Sequence, residues 1–385
     1  MDLGVGNTFL EVDLQKIKAN LNRIRDHIGK GCEVMPVLKA NAAGMGLEKM
    51  GLFMSGECGV NLVAVAQVYE AVKLKEAGVD CEIFVMGGVP YDNVASAVEY
   101  GIQMPVFENE FADFVNGEAK KQDKKVKLHI KIETGMNRIG VKPGRALDEL
   151  VDYIKNLESI EIVGVYTHLV ESQAADKSFS HRQHDLFKEA LGQLDRKGIN
   201  PRYIHVCNSA ATVWFTEAYY THVRPGRLVY GMDPNGDEKN KLGLEFPIKW
   251  YAFVTNLKRI DAGETVGYNK FFKADRPIRM ATLSFGYGDG YNRNLVLKGG
   301  HVLIKGKRAP FLDMCMDQSF VDVTAIEDVK LNDRAVLLGR GGKEEISLHD
   351  FSAMLGEGYM NAMANIGQRV RRIYKSCHAE RSEGS

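Results

Sequence analysis

The sequence lacks several features that define particular classes of protein. Its six cysteines are scattered without a Cys-x-x-Cys spacing, which argues against a zinc site and against a disulfide framework. No apolar run approaches the roughly 20 residues that a membrane helix needs. The first residues have no basic segment followed by an apolar one. We therefore expect a cytoplasmic protein without a membrane partner.

Neither sign of charge is in excess, and the motifs of several catalytic classes are absent. Fifty basic residues balance fifty acidic ones, so the composition gives no indication of a nucleic-acid partner. The chain has no Walker loop, no nucleophile elbow and no His-x-x-x-His pair. Residue 49 is lysine, where a dinucleotide fingerprint beginning at Gly44 would need a third glycine. We expect no metal ion.

What the first part of the chain does contain is a regular alternation of strand and helix patterns. Its 385 residues are enough for two domains. Short apolar runs alternate with helical patterns, as is typical of a closed (β/α)8 TIM barrel, and we predict this α/β fold for residues 8–235. The predicted barrel strands are residues 34–38, 62–65, 82–85, 103–106, 126–132, 160–167, 203–206 and 222–223.

The pattern changes near residue 235, where a turn-rich segment precedes short apolar or alternating runs. We predict a C-terminal, mostly-β domain at residues 236–377, with the strand at residues 8–13 joining it, and a disordered tail at residues 378–385. The predicted strands of this domain are residues 250–260, 278–284, 301–304, 320–324 and 335–338, and one helix is expected at residues 348–355.

Residues able to do chemistry gather at the predicted carboxyl ends of the barrel strands, where parallel barrels have their active sites. Lys39 ends the first strand and precedes small residues, so it is able to form a Schiff base if burial lowers its pKa. Taken alone, a solvated lysine at the rim is the more common case. The other candidates are Lys131, Arg138, His168, His205, Ser209, Arg224 and the backbone of Gly226.

Each of these candidates also has an ordinary structural interpretation. His168 and His205 are compatible with half-buried structural histidines, Ser209 with the N-cap of the following helix, and Arg138 and Arg224 with salt bridges at the rim. Considered together, they predict a pocket for an anionic ligand. A hydroxyl and free N–H groups suit a phosphate, and an arginine suits a carboxylate.

Three loops of the second domain are candidates as well. Tyr268 lies in a glycine-flanked loop, Tyr287 lies in a turn-rich aromatic segment, and Met316 and Asp317 precede an apolar strand. By composition alone, hairpin turns with aromatic packing are the better interpretation of all three.

In their order along the chain, these segments resemble the motifs of the alanine racemases, the fold-type III enzymes that use pyridoxal 5′-phosphate. Residues 39–46 are similar to the motif Lys-Ala-Asn-Ala-Tyr-Gly-His-Gly, which binds the cofactor in that family. The resemblance extends from about residue 9 to residue 374 and is specific because the motifs are spread over both domains. The other matching segments are residues 133–140, 205–212, 223–231 and 314–324.

The resemblance implies roles for the barrel residues. Lys39 would form a Schiff base with pyridoxal 5′-phosphate, and Ser209 and the backbone near Gly226 would hold the phosphate. Arg224, with His205 as its partner, would face the pyridine nitrogen. The other implied neighbours of the cofactor are His168 and Asn208.

The resemblance also implies an amino-acid racemase with two bases on opposite faces of the substrate, Lys39 and Tyr268. Tyr268 would come from the other subunit of a homodimer. Arg138 and the Met316 amide would hold the substrate carboxylate, and Lys131 matches a position that is carbamylated in some relatives. The other residues implied near the substrate are Tyr287, Asp317 and Gln368.

Several positions depart from the family pattern. Ala43 and Gln368 each replace a tyrosine that lines the pocket in relatives, and Met45 replaces the histidine of the lysine motif. Arg227 adds a positive charge after the phosphate glycine. The loss of two rings predicts an enlarged pocket for a larger or more polar amino acid such as serine or lysine, with alanine still open as the substrate.

Two further interpretations remain. A fold-type III decarboxylase would place an acidic residue at the pyridine nitrogen, but this chain has Arg224 there, and Cys315 lies in a racemase context. A non-catalytic protein that binds pyridoxal phosphate would fit the loss of the two tyrosines. The presence of Tyr268 and of the segment from Met316 to Asp317 favours catalysis.

Overall fold

The computed structural model describes residues 4, 6–233 and 241–375. The chain divides into two compact units: one is Lys18–Glu245, and the other joins Met1–Ile17 to Phe246–Ser385. The predicted domain boundary at residues 235/236 and the predicted tail at residues 378–385 lie outside the described residues. In the described part of the chain, no helix is long and apolar enough to cross a membrane.

The strands, in chain order, are β1 (Thr8–Asp13), β2 (Glu33–Val34), β3 (Leu62–Val65), β4 (Glu82–Val85), β5 (Met104–Val106), β6 (Val126–Lys131), β7 (Ile160–Tyr166), β8 (Tyr203–Asn208), β9 (His222–Arg224), β10 (Ile248–Ile260), β11 (Thr265–Val266), β12 (Phe272–Lys273), β13 (Ile278–Leu283), β14 (His301–Ile304), β15 (Lys307–Met314), β16 (Ser319–Asp322), β17 (Arg334–Gly341), β18 (Glu344–Ile346) and β19 (Arg371–Lys375).

The helical segments are α1 (Leu14–Ile28), α2 (Lys39–Ala43), α3 (Leu47–Ser55), α4 (Val68–Glu76), α5 (Val94–Glu99), α6 (Asn109–Lys121), α7 (Arg145–Ile154), α8 (Ser178–Arg196), α9 (Ser209–Trp214), α10 (Asn294–Leu297), α11 (Leu348–Leu355) and α12 (Tyr359–Ala364).

Eight parallel strands of the first unit close into a ring. Six of them are hydrogen-bonded in the order β2-β9-β8-β7-β6-β5, and β3 pairs with β4. Single parallel bridges, from Val37 to Ala64 and from Phe84 to Gln103, join the two sheets at both edges. The prediction of a (β/α)8 barrel is therefore confirmed. Ring closure brings the carboxyl ends of all eight strands to one mouth.

The first barrel strand is shorter than predicted. A continuous strand was expected over residues 34–38, but β2 ends at Val34 and Val37 makes only one bridge. Pro36 lacks the N–H that a ladder needs, which explains the interruption. Lys39 therefore does not end a strand but begins α2.

In the second unit, nine strands form one sheet in the order β18-β17-β14-β15-β16-β13-β10-β1-β19. Within it, β1 runs antiparallel to β10 and parallel to β19. This sheet confirms the mostly-β class predicted for the C-terminal part, and α11 has the bounds that the sequence predicted. Sequence patterns missed β15, because Pro310 and three charged residues interrupt its alternation.

Candidate active site

Lys39 stands at the mouth of the barrel, at the start of a left-handed turn. Ala40, Asn41, Ala42 and Ala43 have φ angles of 54°, 56°, 53° and 52°. For residues other than glycine, this conformation costs about 1–2 kcal/mol each. Such a run persists only where its surroundings determine it, and clusters of this kind are typical of functional sites.

Glu70 on α4 supports this turn. Its Oε1 accepts a hydrogen bond from the N–H of Ala40 at 2.7 Å, while its Oε2 accepts from the N–H groups of Ala66 at 2.9 Å and Gln67 at 3.2 Å. Sequence reasoning missed this residue. The available signal was the capping box formed by Gln67 and Glu70, which marks the start of α4.

The environment of Lys39 disfavours its charged ammonium form relative to a lysine in water. The side chain is exposed at the mouth, yet the protein around it still removes part of its hydration. This desolvation, followed by the nearby positive charge of Arg138, lowers the pKa of Lys39, and Glu70 opposes the shift. A neutral amine is the form that acts as a nucleophile or as a base.

Arg224 is buried beneath the mouth, with a relative exposure of 3%. Its Nη1 donates to Nδ1 of His205 at 2.9 Å, and its Nη2 donates to the carbonyl oxygens of Thr167 at 2.7 Å and Val206 at 3.1 Å. Its Nε donates to no residue in the described part of the chain. Burial lowers the pKa of Arg224 to about 10, so the guanidinium remains charged at neutral pH.

A buried hydrogen-bond chain continues from Arg224 into the barrel interior. His205 Nε2 lies 2.9 Å from His129 Nδ1, and His129 Nε2 lies 2.6 Å from Oε1 of Gln103. Since the amide oxygen and the Arg224 donor lie at opposite ends, both histidines must carry their proton on Nε2. Burial lowers the pKa of His129 to about 3 and holds that of His205 well below its ordinary value, so both stay neutral.

Tyr166 lies close to two basic side chains in the barrel interior. Arg224 lies 5.6 Å and Lys131 lies 5.5 Å from the centre of its ring. Lys131 is only 2% exposed and donates from Nζ to the carbonyl oxygen of Ile132 at 2.7 Å. Burial lowers the pKa of Lys131 to about 8. Sequence reasoning missed Tyr166, although it lies only two residues before the predicted site residue His168, at the carboxyl end of β7.

His168 lies at the mouth among positively charged side chains. Its Nε2 is 3.3 Å from Nδ2 of Asn208, and its Nδ1 is 3.4 Å from Nη2 of Arg224. Burial is the main cause of its lowered pKa, and the positive charges of Arg224 and Arg138 follow. His168, Asn208 and Arg224, which were predicted at the ends of successive strands, therefore lie together at the mouth. The positive charge around them would favour a bound anion.

Ser209 and Gly226 meet at the same mouth. The N–H of Gly226 donates to Oγ of Ser209 at 3.0 Å. The interpretation of Ser209 as an N-cap is wrong, because Asn208 caps α9 by accepting from the N–H of Ala211 at 3.0 Å. Asn208 also donates to the carbonyl oxygen of Leu169 at 2.9 Å, so its amide is engaged inside the protein.

Arg138 is exposed and makes no ion pair or hydrogen bond with any residue that the structure describes. It lies near enough to Lys39 and His168 to influence the pKa of both. Its guanidinium is therefore available to an external anion.

The second unit presents its candidate side chains to solvent. Tyr268, Met316 and Tyr287 are 74%, 54% and 43% exposed, which does not fit the interpretation of packed aromatic turns. Gln368 is also exposed. Within the described residues, no acceptor faces the N–H of Met316.

Arg369 links the loops of this second set, and sequence reasoning missed it. Its Nε lies 2.6 Å from the Asp289 carboxylate and its Nη1 lies 2.7 Å from that of Asp317. The N–H of Tyr287 donates to the carbonyl oxygen of Cys315 at 3.1 Å in the same region. Tyr287, Met316 and Asp317 are thus brought together, whereas Tyr268 lies on a separate turn.

Comparison with known proteins identifies the family. Residues 12–234 match the model of the alanine racemase N-terminal domain, and residues 248–374 match that of the C-terminal domain. The chain belongs to the alanine racemase family. It is 35% identical over 366 residues to the alanine racemase of Methanococcus maripaludis, which covers 94% of this chain and 97% of that protein.

Solved structures of racemases agree with this assignment. The alanine racemase from Bacillus anthracis with bound L-Ala-P has a TM-score of 0.90 and 30% identity, covering 96% of this chain and 95% of that one. The alanine racemase from Bartonella henselae with covalently bound pyridoxal phosphate has a TM-score of 0.82 and 27% identity, covering 96% and 100%. The predictions of a racemase family and of pyridoxal phosphate as its cofactor are confirmed.

The barrel mouth of this family member fits the cofactor. Lys39 offers an amine with a lowered pKa, and the hydroxyl of Ser209 and the N–H of Gly226 lie together as a phosphate site requires. The Nε of Arg224, which donates to none of the described residues, suits an aromatic nitrogen acceptor. Among the described side chains, no group of three or more His, Cys, Asp or Glu residues is arranged to hold a metal ion.

Proposed function

We propose that this protein interconverts L- and D-alanine, with pyridoxal 5′-phosphate bound at the barrel mouth. The observation that carries the proposal is geometric: Lys39 stands at the same barrel mouth as the hydrogen-bonded pair of Ser209 and Gly226. Arg138 and Arg224 add positive charge there. Such a mouth suits a ligand with a phosphate and a substrate with a carboxylate. The names of the relatives support alanine as the substrate.

The proton chemistry follows from the two exposed side chains at the left-handed turns. The bound cofactor supplies an electron sink that acidifies the α-hydrogen of an attached amino acid. The amine of Lys39 takes a proton at Nζ on one face of the substrate, and Tyr268 gives a proton from its phenol on the other. In the opposite direction the two groups exchange roles, so that neither has to cross to the other face.

We place Tyr268 in the site of a second subunit of a homodimer. The residue is 74% exposed, and Phe271, whose N–H donates to the carbonyl oxygen of Tyr268, is 43% exposed. An exposed apolar group of this kind is typical of a surface that a partner covers. The arrangement would make the active site shared between subunits.

The barrel side chains hold the cofactor in this proposal, and others bind the substrate. Arg138 and the N–H of Met316 bind the substrate carboxylate, since each is an unused donor in the described part of the chain. Tyr287, Asp317 and Gln368 line the substrate side. The cofactor side is formed by Lys39, His168, His205, Asn208, Ser209, Arg224 and Gly226.

A second substrate class rests on the two missing tyrosines. Ala43 is buried in the lysine turn, and Gln368 is exposed, so neither position carries a ring. An enlarged pocket would admit serine or lysine, although the relatives that we compared are all named for alanine. Alanine is therefore the first substrate to test.

The test is hydrogen exchange at the α-carbon in D2O, followed by NMR and by chiral analysis. The protein is loaded with pyridoxal phosphate and incubated separately with L-alanine, D-alanine, L-serine and L-lysine. We expect exchange with inversion on alanine. Exchange on none of these amino acids, despite bound cofactor, would contradict a racemase.

The two-base arrangement is tested with Tyr268→Phe. We expect inversion to fall about 10²–10⁴-fold in both directions, because one proton transfer loses its acid–base group. Tyr91→Phe is the matched control, since Tyr91 is also exposed, at 44%, and lies in the other unit. Full inversion by Tyr268→Phe in both directions would contradict the role of Tyr268.

A further inference from the structure

We propose that the ion pair between Arg293 and Asp313 positions the turn that carries Tyr268. We call residues 267–271 the tyrosine turn. The two charged side chains are then positioning residues for the second base. The inference rests on the proposed function, since that function assigns a base to Tyr268.

The tyrosine turn is strained. Gly267, Asn269 and Lys270 have φ angles of 83°, 56° and 55°, so three of four successive residues are left-handed. Side chains other than glycine rarely adopt such angles, and strained segments persist only where neighbouring structure determines them. Because Tyr268 itself is 74% exposed, its ring supplies little of that support. The support has to come from beneath the turn.

Asp313 lies directly beneath the first residue of the turn. A Cβ atom placed on Gly267 would be 1.8 Å from Oδ2 of Asp313, so only glycine fits above this carboxylate. Asp313 is fully buried. Its Oδ2 accepts no hydrogen bond from the residues that the structure describes. A buried carboxylate oxygen without a partner is costly and is therefore not explained by packing alone.

Arg293 balances this carboxylate and fixes its orientation. Its Nη2 and Nε lie 2.7 Å and 3.2 Å from Oδ1 of Asp313, and its Nε also donates to the carbonyl oxygen of Met314 at 3.1 Å. Two donors on one oxygen leave the other oxygen turned toward Gly267. A buried carboxylate stays in place only while such a partner is present.

The same guanidinium contacts the last residue of the tyrosine turn. Arg293 lies 4.9 Å from the centre of the Phe271 ring, which is a cation–π distance. The ion pair therefore contacts both ends of the turn: Asp313 meets Gly267, and Arg293 meets Phe271. Tyr268 lies between the two contacts.

An irregularity in β15 directs Asp313 to this place. Phe311 pairs with Val321, but Asp313 pairs with Phe320, so β15 has a bulge between its two paired residues. Bulges redirect side chains and are common beside active sites. Leu312, within the bulge, packs in an apolar cluster with Val266, the residue before the tyrosine turn.

The test compares Asp313→Asn and Arg293→Met with the unchanged holoenzyme. Hydrogen exchange of the peptide that covers residues 265–272, read by mass spectrometry, measures the order of the turn directly. We expect both variants to exchange this peptide at least about tenfold faster, because local opening governs the rate. Arg293→Lys should recover part of the protection, since it keeps the charge but loses the planar fork. Arg259→Met, which breaks an exposed ion pair with Asp261 in the same unit, is the control.

The second readout is the ratio of α-hydrogen exchange to inversion in D2O. The substrate is the alanine enantiomer whose α-hydrogen faces Lys39. If the tyrosine turn loosens, Lys39 still removes and returns that hydrogen, while proton transfer on the Tyr268 face slows. We expect inversion to fall about 10–100-fold and the ratio to rise, because small misplacements of a catalytic group have effects of that size. A general loss of folding would lower both rates equally and leave the ratio unchanged.

The two readouts separate failure of this inference from failure of the proposed function. Unchanged exchange of the peptide in both variants would overturn the positioning role, whatever the activity. Faster peptide exchange with an unchanged ratio would overturn the link to the second base. Absence of any racemisation by the unchanged holoenzyme would contradict the proposed function, while the peptide would still report on the ion pair.

Discussion

Two turns with positive φ angles, one in each unit, lie at the side chains that we propose as bases: one follows Lys39 and the other carries Tyr268. In the barrel, the turn after Lys39 has four φ angles between 52° and 56°. In the β-rich unit, the tyrosine turn has three positive φ angles around Tyr268. Each turn rests on one carboxylate, from Glu70 in the barrel and from Asp313 in the β-rich unit. A turn with several positive φ angles that rests on a carboxylate therefore occurs in each unit.

The two turns differ in how they are supported. Both oxygens of Glu70 accept hydrogen bonds from backbone N–H groups, and the last residues of the lysine turn, Ala42 and Ala43, are buried. Asp313 leaves one oxygen against Gly267 without a partner among the described residues, and Tyr268 is exposed. Segments with exposed backbone and few buried contacts open at the lowest free energy. The lysine turn is thus supported within its own chain, whereas the tyrosine turn keeps an exposed face, which the proposed homodimer would cover.

The largest effect should follow from removing the base of the better supported turn. We expect Lys39→Ala to lower racemisation at least about 10⁴-fold, because it removes both the covalent attachment of the cofactor and one proton transfer. The measurement is inversion of L-alanine, together with the absorbance of cofactor retained after dialysis. Tyr268→Phe should keep the cofactor, since it removes only a proton transfer.

The control for this prediction is Lys49→Ala, which changes an exposed lysine of α3. Retention of covalently bound cofactor by Lys39→Ala would contradict the assignment of Lys39. Equal losses of cofactor in Lys39→Ala and Tyr268→Phe would remove the functional distinction between the two turns.

A smaller loss of activity is expected when the carboxylate of Glu70, which supports the lysine turn, is replaced by an amide. Glu70→Gln keeps the size of the side chain but offers one acceptor oxygen to three backbone N–H groups. We expect unfolding free energy to fall by about 1–3 kcal/mol and racemisation to fall about tenfold through displacement of Lys39. Denaturant unfolding and steady-state rates measure the two.

Glu48→Gln is the matched control, since Glu48 lies exposed in the first turn of a neighbouring helix. A Glu70→Gln variant with full stability and full activity would show that the lysine turn does not need its carboxylate. The parallel with Asp313 would then fail.

The fold was predictable from the sequence because the spacing of apolar residues along a strand or helix reflects which of its faces is buried. Alternating strand and helix patterns predicted the barrel, and the mostly-β class of the second unit followed from its short runs. The strand at residues 34–38 was too long because the pattern of apolar side chains did not register the missing N–H of Pro36. Left-handed backbone at Ala40 to Ala43 has no compositional signal, since none of these residues is glycine.

The candidate site was only partly predictable for a similar reason. Lys39, Arg224 and His205 were found because they lie at or near the carboxyl ends of predicted strands, and such ends meet at one mouth of a barrel. Arg369 was missed because it acts through ion pairs distant in sequence, which no local pattern encodes. The capping box marks Glu70 as part of a helix start, but nothing local indicates its hydrogen bond to Ala40, thirty residues away. The roles of the site residues stay predictions until the variants are measured.

The unfolding free energy of the barrel unit should depend on pH through its buried Lys131. The pKa of Lys131 is lowered by burial to about 8 from 10.5. Between these values the unfolded chain binds more protons than the folded one, so this group makes the unfolding free energy rise with pH. Below pH 8 the buried charge is a cost, and Lys131→Met should be more stable at pH 7 by roughly 1–3 kcal/mol.

That advantage should shrink as the pH rises from 8 to 10, because the unmodified lysine is then neutral in the folded state. Denaturant unfolding at several pH values measures the difference. Lys142→Met, at an exposed lysine of the same unit, should show no such trend. A constant difference between the Lys131 variant and the parent would contradict a charged, buried Lys131, and carbamylation of that residue would be one chemical cause to examine by mass spectrometry.

The smallest effect on activity is expected at the two positions, one in each unit, where this chain lacks a tyrosine of the family pattern. Gln368 is exposed in the β-rich unit, so Gln368→Tyr is tolerated without repacking, whereas Ala43 is buried within the strained lysine turn. If the missing ring enlarges the substrate pocket, Gln368→Tyr should lower kcat/KM for serine relative to alanine by about tenfold, the usual discrimination for a small change in pocket size. Gln368→Leu, which restores apolar character without a ring, separates size from polarity. An unchanged ratio in both variants would show that residue 368 does not set specificity, and alanine preference would then have to arise on the barrel side.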